Sequence, residues 1–152
     1  MLPTEALRKV SIFEDLEESL LRLLTVRSRE KTFAAGERLM AQGEEGTSLC
    51  VLLEGRVRVE QRAPSGQVFQ LAERAAGECF GEMSLIDSGG RSADVIALTD
   101  CKVLVVNQDT FEQLVLGHPR SALAMMRTLV RRLRDQSQKM AEAASQSPAA
   151  EG

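Results

Sequence analysis

The chain has 152 residues, a formal net charge of −3, 43% hydrophobic residues and only 3% aromatic ones, with neither Trp nor Tyr. That length suits one domain with a real apolar core. The acidic balance gives DNA no basic field to follow, and the scarcity of aromatics removes the stacking platforms that hold single-stranded nucleic acid.

Met1–Val10 carries Glu5, Arg8 and Lys9 and no apolar run, so it does not read as a signal peptide. No stretch approaches the roughly 18 apolar residues that cross a bilayer. A soluble, cytoplasmic protein without membrane partners is expected. Ile12, Leu16, Leu20, Leu23 and Leu24 fall near helical spacing with acids between them, which predicts an amphipathic helix over 12–24. From Arg29 to Val106 the texture changes to short apolar runs cut by glycines at 36, 43, 46, 55, 66, 77, 81, 89 and 90. The runs beginning at Ser48, Val57, Val68, Val95 and Lys102 recur at about ten-residue intervals and predict an antiparallel barrel or sandwich. Asp109 with Glu112 has the spacing of a capping box for a helix over Thr110–Leu116. Pro119 suits a first helical position, and a long helix is predicted from there to about Ala144. Ser145–Gly152 lacks apolar anchors and reads as a disordered tail.

Three cysteines, Cys50, Cys79 and Cys101, are odd in number and lack metal-ligand spacing, so they read as reduced core residues. The single His118 stands before Pro119 and reads as a turn residue; it makes neither a metal site nor a Cys–His pair. Met125, Met126 and Met140 read as packing residues.

The chemistry gathers between Cys79 and Ala93. Glu82 follows Gly81, so its carboxylate can stand where the backbone is uncrowded. Met83, Ser84 and Leu85 can open a helical turn whose free amides face an anion. Arg91 is a permanent planar cation suited to phosphate oxygens, Ser92 adds a hydroxyl donor, and small Ala93 permits close approach. An acceptor for hydroxyls, a cation and a group of amides together describe a sugar–phosphate site. The residues alone leave a structural ion pair between Glu82 and Arg91 equally open.

Phe80-Gly81-Glu82-Met83-Ser84-Leu85 followed by Arg91-Ser92-Ala93 resembles the phosphate-binding cassette of cyclic nucleotide-binding domains. Phe13-Glu14-Asp15-Leu16, Phe33-Ala34-Ala35-Gly36-Glu37, Gln42-Gly43-Glu44-Glu45-Gly46, Leu53-Glu54-Gly55-Arg56-Val57 and Ala76-Gly77-Glu78 stand in that family's order and spacing. The resemblance covers roughly residues 7–140. It implies an α+β, mainly β fold: a jelly-roll β-roll over about 29–106, an N-terminal helix, and C-terminal helices over about 109–144, making one domain over 1–144.

The resemblance further implies that Glu82 binds the ribose 2′-hydroxyl, and that Arg91 meets the cyclic phosphate with Ser92 and the amides near Met83 and Ser84. Gly81, Ala93 and Leu71 complete the ligand-binding set around the cassette. On the long helix, Arg132 falls where an arginine supports the cassette glutamate. Gln136 and Ser137 fall where the activator branch of the family uses hydroxyl side chains on the purine, one subunit reaching into its partner's site. Two positions depart from the pattern: Gln136 is not a hydroxyl residue, and Arg74 stands where relatives carry an apolar residue beside the pocket. Arg131 and Arg134 read as a solvated helix face.

The implied function is a sensor that binds cyclic AMP, or cyclic GMP, changes shape and signals through an unknown effector, with no cofactor and no catalysis. Ser92 fits either base, and the reading leans to cyclic AMP. Met126, Val130, Leu133, Ser137 and Met140 alternate by four and three residues, a short heptad seam that predicts a parallel homodimer through the long helix. The activator branch follows this helix with a DNA-reading module, whereas this sequence ends soon after it. A stand-alone sensor or a regulatory piece of a larger protein is expected, without nucleic-acid binding by this chain alone. The alternative is a degenerate domain that keeps the β-roll, binds no ligand and works as a protein-interaction or dimerisation module.

Overall fold

The computed structural model describes residues 1–81 and 90–145. Helix α1 (Pro3–Lys9), a 3-10 turn (Ser11–Phe13) and helix α2 (Glu18–Arg27) precede eight strands. These are β1 (Arg29–Phe33), β2 (Arg38–Met40), β3 (Ser48–Glu54), β4 (Arg56–Arg62), β5 (Val68–Ala75), β6 (Cys79–Phe80), β7 (Asp94–Ala97) and β8 (Cys101–Asn107). A short helix (Gln108–Phe111), a π-helical turn (Glu112–Leu116) and a long helix (Pro119–Ser145) close the described chain.

The strands form two four-stranded sheets ordered β1-β8-β3-β6 and β2-β7-β4-β5. Every described strand pairing is antiparallel. This is the jelly-roll with flanking helices that the sequence implies.

Two apolar layers explain the near-continuous hydrophobic runs of β3 and β8. Cys50, Leu52, Val103 and Val105 point between the sheets and meet Met40, Val57, Phe80 and Val95. Leu49, Val51, Leu53, Leu104 and Val106 point the other way and pack beneath α1, α2 and the C-terminal helices. A strand covered on both faces needs apolar residues at consecutive positions, so it loses the alternation of a half-exposed strand. Phe13 and Phe111 join the two helical segments, with ring centroids 6.1 Å apart.

Three helical expectations need correction. The predicted 12–24 helix is broken: Glu17 is extended, with φ −61° and ψ 144°, and α2 starts only at Glu18. Phe13 and Leu16 are buried all the same, because a 3-10 turn followed by a second turn carries them inward. The capping box at Asp109 and Glu112 does not form. Asp109 lies inside the helix that starts at Gln108, its N-cap Asn107 makes no side-chain cap bond, and the chain widens into the π turn at Glu112. Helix α1, absent from the predicted elements, has Pro3 at its start, Glu5 in its first turn and Arg8 and Lys9 in its last, each matched to the helix dipole.

Candidate functional site

The site grows from the register of two strands. β3 and β6 pair Cys50 with Phe80, which brings the residue after β6, Gly81, alongside the start of β3. Gly81 has φ 83°, a backbone conformation that side chains with a Cβ resist. A Cβ at that position would lie 2.5 Å from Arg91 Nη1 and 2.8 Å from Met40 Cε. The absence of a side chain at Gly81 therefore leaves the space that the Arg91 guanidinium fills.

The main chain of Arg91 is pinned to the loop between β2 and β3. Gly43 donates its amide to the Arg91 carbonyl at 2.8 Å, and Arg91 donates its own to the Glu44 carbonyl at 2.6 Å. Three residues on, the buried Asp94 carboxylate accepts the Gln42 amide at 2.7 Å and lies 3.5 Å from the Arg62 guanidinium. Arg91 and Asp94 are thus both tied to one loop.

That side chain is half-buried. Arg91 Nη1 donates to the Ser48 carbonyl at 2.9 Å and more weakly to the Gly81 carbonyl at 3.4 Å, while Nη2 reaches the Ser48 hydroxyl at 3.3 Å. Among the described residues no carboxylate forms an ion pair with it. Burial lowers the pKa of Arg91, against weaker opposing effects of Cys50 and Glu44. Burial also pushes the neighbouring Cys50 thiol up to about 11, so it stays protonated at neutral pH and supplies no counter-charge. A partly desolvated cation held by neutral oxygens is prepared for an anion from solution.

Arg91 opens onto a cavity of about 160 Å³. Met40, Val59, Phe80 and Val95 give it an apolar wall, and Arg74, Arg91 and Ser92 give it donors. Ala93, 8% exposed, lines the floor without crowding it. The structure thus brings Gly81, Arg91, Ser92 and Ala93 together.

Glu82, Met83 and Ser84 lie outside the described residues. Leu71 is not among the cavity-lining residues. It is the extra residue of a bulge between the pairs Val59–Ala72 and Glu60–Gln70, and it is 54% exposed. Arg132, Gln136 and Ser137 do not line the cavity either; they stand on the exposed outer part of the long helix. The reason is packing: the described buried residues of that helix are Met125 and Thr128, after which it leaves the β-roll. Its seam is open, with Met126, Val130, Leu133 and Met140 between 48% and 67% exposed.

Sequence reasoning missed two contributors. Ser48, which opens an apolar run, holds Arg91 through both its carbonyl and its hydroxyl. Arg131 is not merely solvated: its Nη2 lies 2.9 Å from Asp15 and 3.4 Å from Glu14, and it donates to the Thr128 hydroxyl at 3.2 Å. This cluster ties the first half of the long helix to the turn before α2. Neither contact has a local sequence signal, since partners stand 43 and more than 100 residues apart.

No helix among the described residues is long and apolar enough to cross a membrane, and those residues contain no His, Cys, Asp and Glu group fit for a metal ion. The model of the cyclic nucleotide-binding domain matches residues 30–118. A CRP-like cAMP-activated global transcriptional regulator of Mycobacterium tuberculosis is 28% identical over 138 residues, covering 91% of this chain and 62% of the regulator. The human cGMP-dependent protein kinase 2 is 34% identical over 111 residues, 72% of this chain and 15% of the kinase. The N-terminal domain of a transcriptional regulator from Streptomyces coelicolor superposes with a TM-score of 0.79 at 32% identity, covering 88% of this chain and 95% of that domain. The chain therefore spans less than two thirds of the curated relatives it matches.

Proposed function

The chain belongs to the cyclic nucleotide-binding domain family, and from that premise we propose that it binds a cyclic purine nucleotide reversibly and converts binding into a change of shape. The observation that carries this reading is Arg91: a half-buried guanidinium at a cavity, held by the oxygens of Ser48 and Gly81 and paired with no described carboxylate. The cyclic phosphate carries one negative charge on two free oxygens, which suits a planar fork of donors. Ser92 adds its hydroxyl, and Glu82, Met83 and Ser84 take the ribose hydroxyl and the remaining phosphate contacts.

The apolar wall of Met40, Val59 and Val95 faces the less polar part of the ligand. Arg132, Gln136 and Ser137 complete the site when the long helix closes over it, from the same chain or from a second copy. A ligand that contacts this helix only in the closed arrangement shifts the population toward it by the difference in its affinities for the two states. The domain is a regulator without chemistry of its own, and its signal passes to an effector protein.

The exposed seam of Met126, Val130, Leu133 and Met140 supports a homodimer through the long helix. Four large apolar side chains repeated at heptad spacing on one helix are a costly surface to leave in water. Because the chain has no Trp and no Tyr, absorbance at 260 nm reports bound nucleotide almost alone. In sedimentation velocity with cyclic AMP or cyclic GMP, read by interference and at 260 nm, the nucleotide signal should travel with a species of dimer mass. A monomer at all concentrations removes the dimer. Nucleotide left behind in the solvent favours the ligand-free interaction module instead.

A further inference from the structure

Arg74 is a charge on the wrong face of its strand. β4 and β5 pair Val57 with Arg74 and Val59 with Ala72, so positions 72 and 74 share the face of buried Val57 and cavity-lining Val59. The intervening Glu73 points outward, where its carboxylate lies 3.2 Å from the Arg56 guanidinium. Arg74 itself lines the same cavity as Arg91, beside Met40, Val59 and Val95. A strand residue in this position is expected to be apolar.

The charge is also loosely held. Its Nη1 stands 3.4 Å from the carbonyl of its own neighbour Glu73 and 4.0 Å from the Glu78 carboxylate. Arg131, by contrast, stands 2.9 Å from Asp15. Most of the donors of this fork are uncommitted among the described residues. A residue that breaks the local pattern without a compensating structural contact points to function.

We propose that Arg74 selects the base of the bound nucleotide, favouring guanine and hence cyclic GMP. This inference rests on the cavity being a cyclic nucleotide site. Arg91 and Ser92, in the segment before β7, then meet the single phosphate charge, and Arg74, carried by β5, faces the rest of the ligand. Guanine presents two adjacent acceptors, O6 and N7, spaced for two parallel N–H donors of one guanidinium. Adenine presents N7 beside an amino group, and that amino group sets donor against donor. The preference follows from Arg74 and opposes the leaning to cyclic AMP that Ser92 permits.

The test is calorimetric titration of the full chain, freed of bound nucleotide, with cyclic GMP, cyclic IMP and cyclic AMP. Cyclic IMP keeps O6 and N7 and lacks the 2-amino group. Wild type should bind cyclic GMP and cyclic IMP about tenfold or more tightly than cyclic AMP, the range for one good bidentate contact to a base. In Arg74→Leu the ratio of cyclic GMP to cyclic AMP affinity should fall by about the same factor. An equal loss for all three nucleotides would place Arg74 on the phosphate and overturn the proposal. So would an unchanged ratio in Arg74→Leu, or a wild type that binds all three equally, and in both cases the nucleotide site itself would stand. A wild type that binds none of them takes down the site and the proposal together.

Discussion

Replacing Arg91 by alanine should weaken cyclic nucleotide binding by at least about 30-fold, with the fold left intact. Truncating one partner of a buried, hydrogen-bonded charge pair costs about 2–5 kcal/mol, and the lower figure corresponds to that ratio. The domain should stay folded, since the loss is smaller than the roughly 5–15 kcal/mol that holds a domain together. Arg91 has no described carboxylate to strand, so its removal gives up hydrogen bonds to the Ser48 carbonyl and hydroxyl and the Gly81 carbonyl, on the order of 1 kcal/mol each. Arg91→Lys should recover only part of the binding, because one ammonium cannot copy a fork that spans Ser48 and Gly81. Titration and thermal melting of the three proteins decide the matter. Equal affinity in wild type and Arg91→Ala removes the phosphate role.

Gly81→Ala should damage binding as well as the fold. Its φ of 83° costs a residue with a Cβ about 1–2 kcal/mol. The first atoms the new methyl meets are mobile tips, Arg91 Nη1 at 2.5 Å and Met40 Cε at 2.8 Å, so the fold can yield there. The Ser48 carbonyl at 3.1 Å can move less. What yields is the aim of Arg91, and affinity should drop about tenfold or more, toward the cost of truncating that side chain. Urea denaturation beside titration separates the two effects. A variant with normal affinity and a shifted urea midpoint would show that Gly81 serves the turn and not the guanidinium.

The legible part of this molecule is the part written in consecutive residues. The apolar runs at Ser48 and Lys102 announce strands of an antiparallel barrel or sandwich, and β3 and β8 are those strands; that both of their faces are covered is seen only in the packing. The stretch from Gly81 to Ala93 announces an anion site, and Arg91 does stand half-buried at a cavity. Sequence spacing misread 12–24 because an apolar residue can reach the core from a 3-10 turn as well as from a helix: Phe13 and Leu16 are buried without continuous helix between them and Leu20. It missed Ser48 because that contact is fixed by the Cys50–Phe80 register, a property of two strands and not of either. Leu71, which the resemblance puts at the ligand, is the extra residue of the bulge opposite Val59 and Glu60, a local irregularity that the spacing of apolar residues does not announce. Arg131 shows the same limit on the long helix, where a basic face hides one residue tied to Glu14 and Asp15.

The central claim is that this cavity takes a cyclic nucleotide through Arg91. It is tested most directly by isothermal titration of refolded, nucleotide-free wild type with cyclic AMP and cyclic GMP, each followed by the linear 5′-monophosphate. The account predicts saturable, micromolar or tighter binding of a cyclic nucleotide at one site per chain, and much weaker binding of the dianionic linear form. No heat and no saturation with either cyclic nucleotide would contradict it, and would leave the seam on the long helix as the surface through which the domain works.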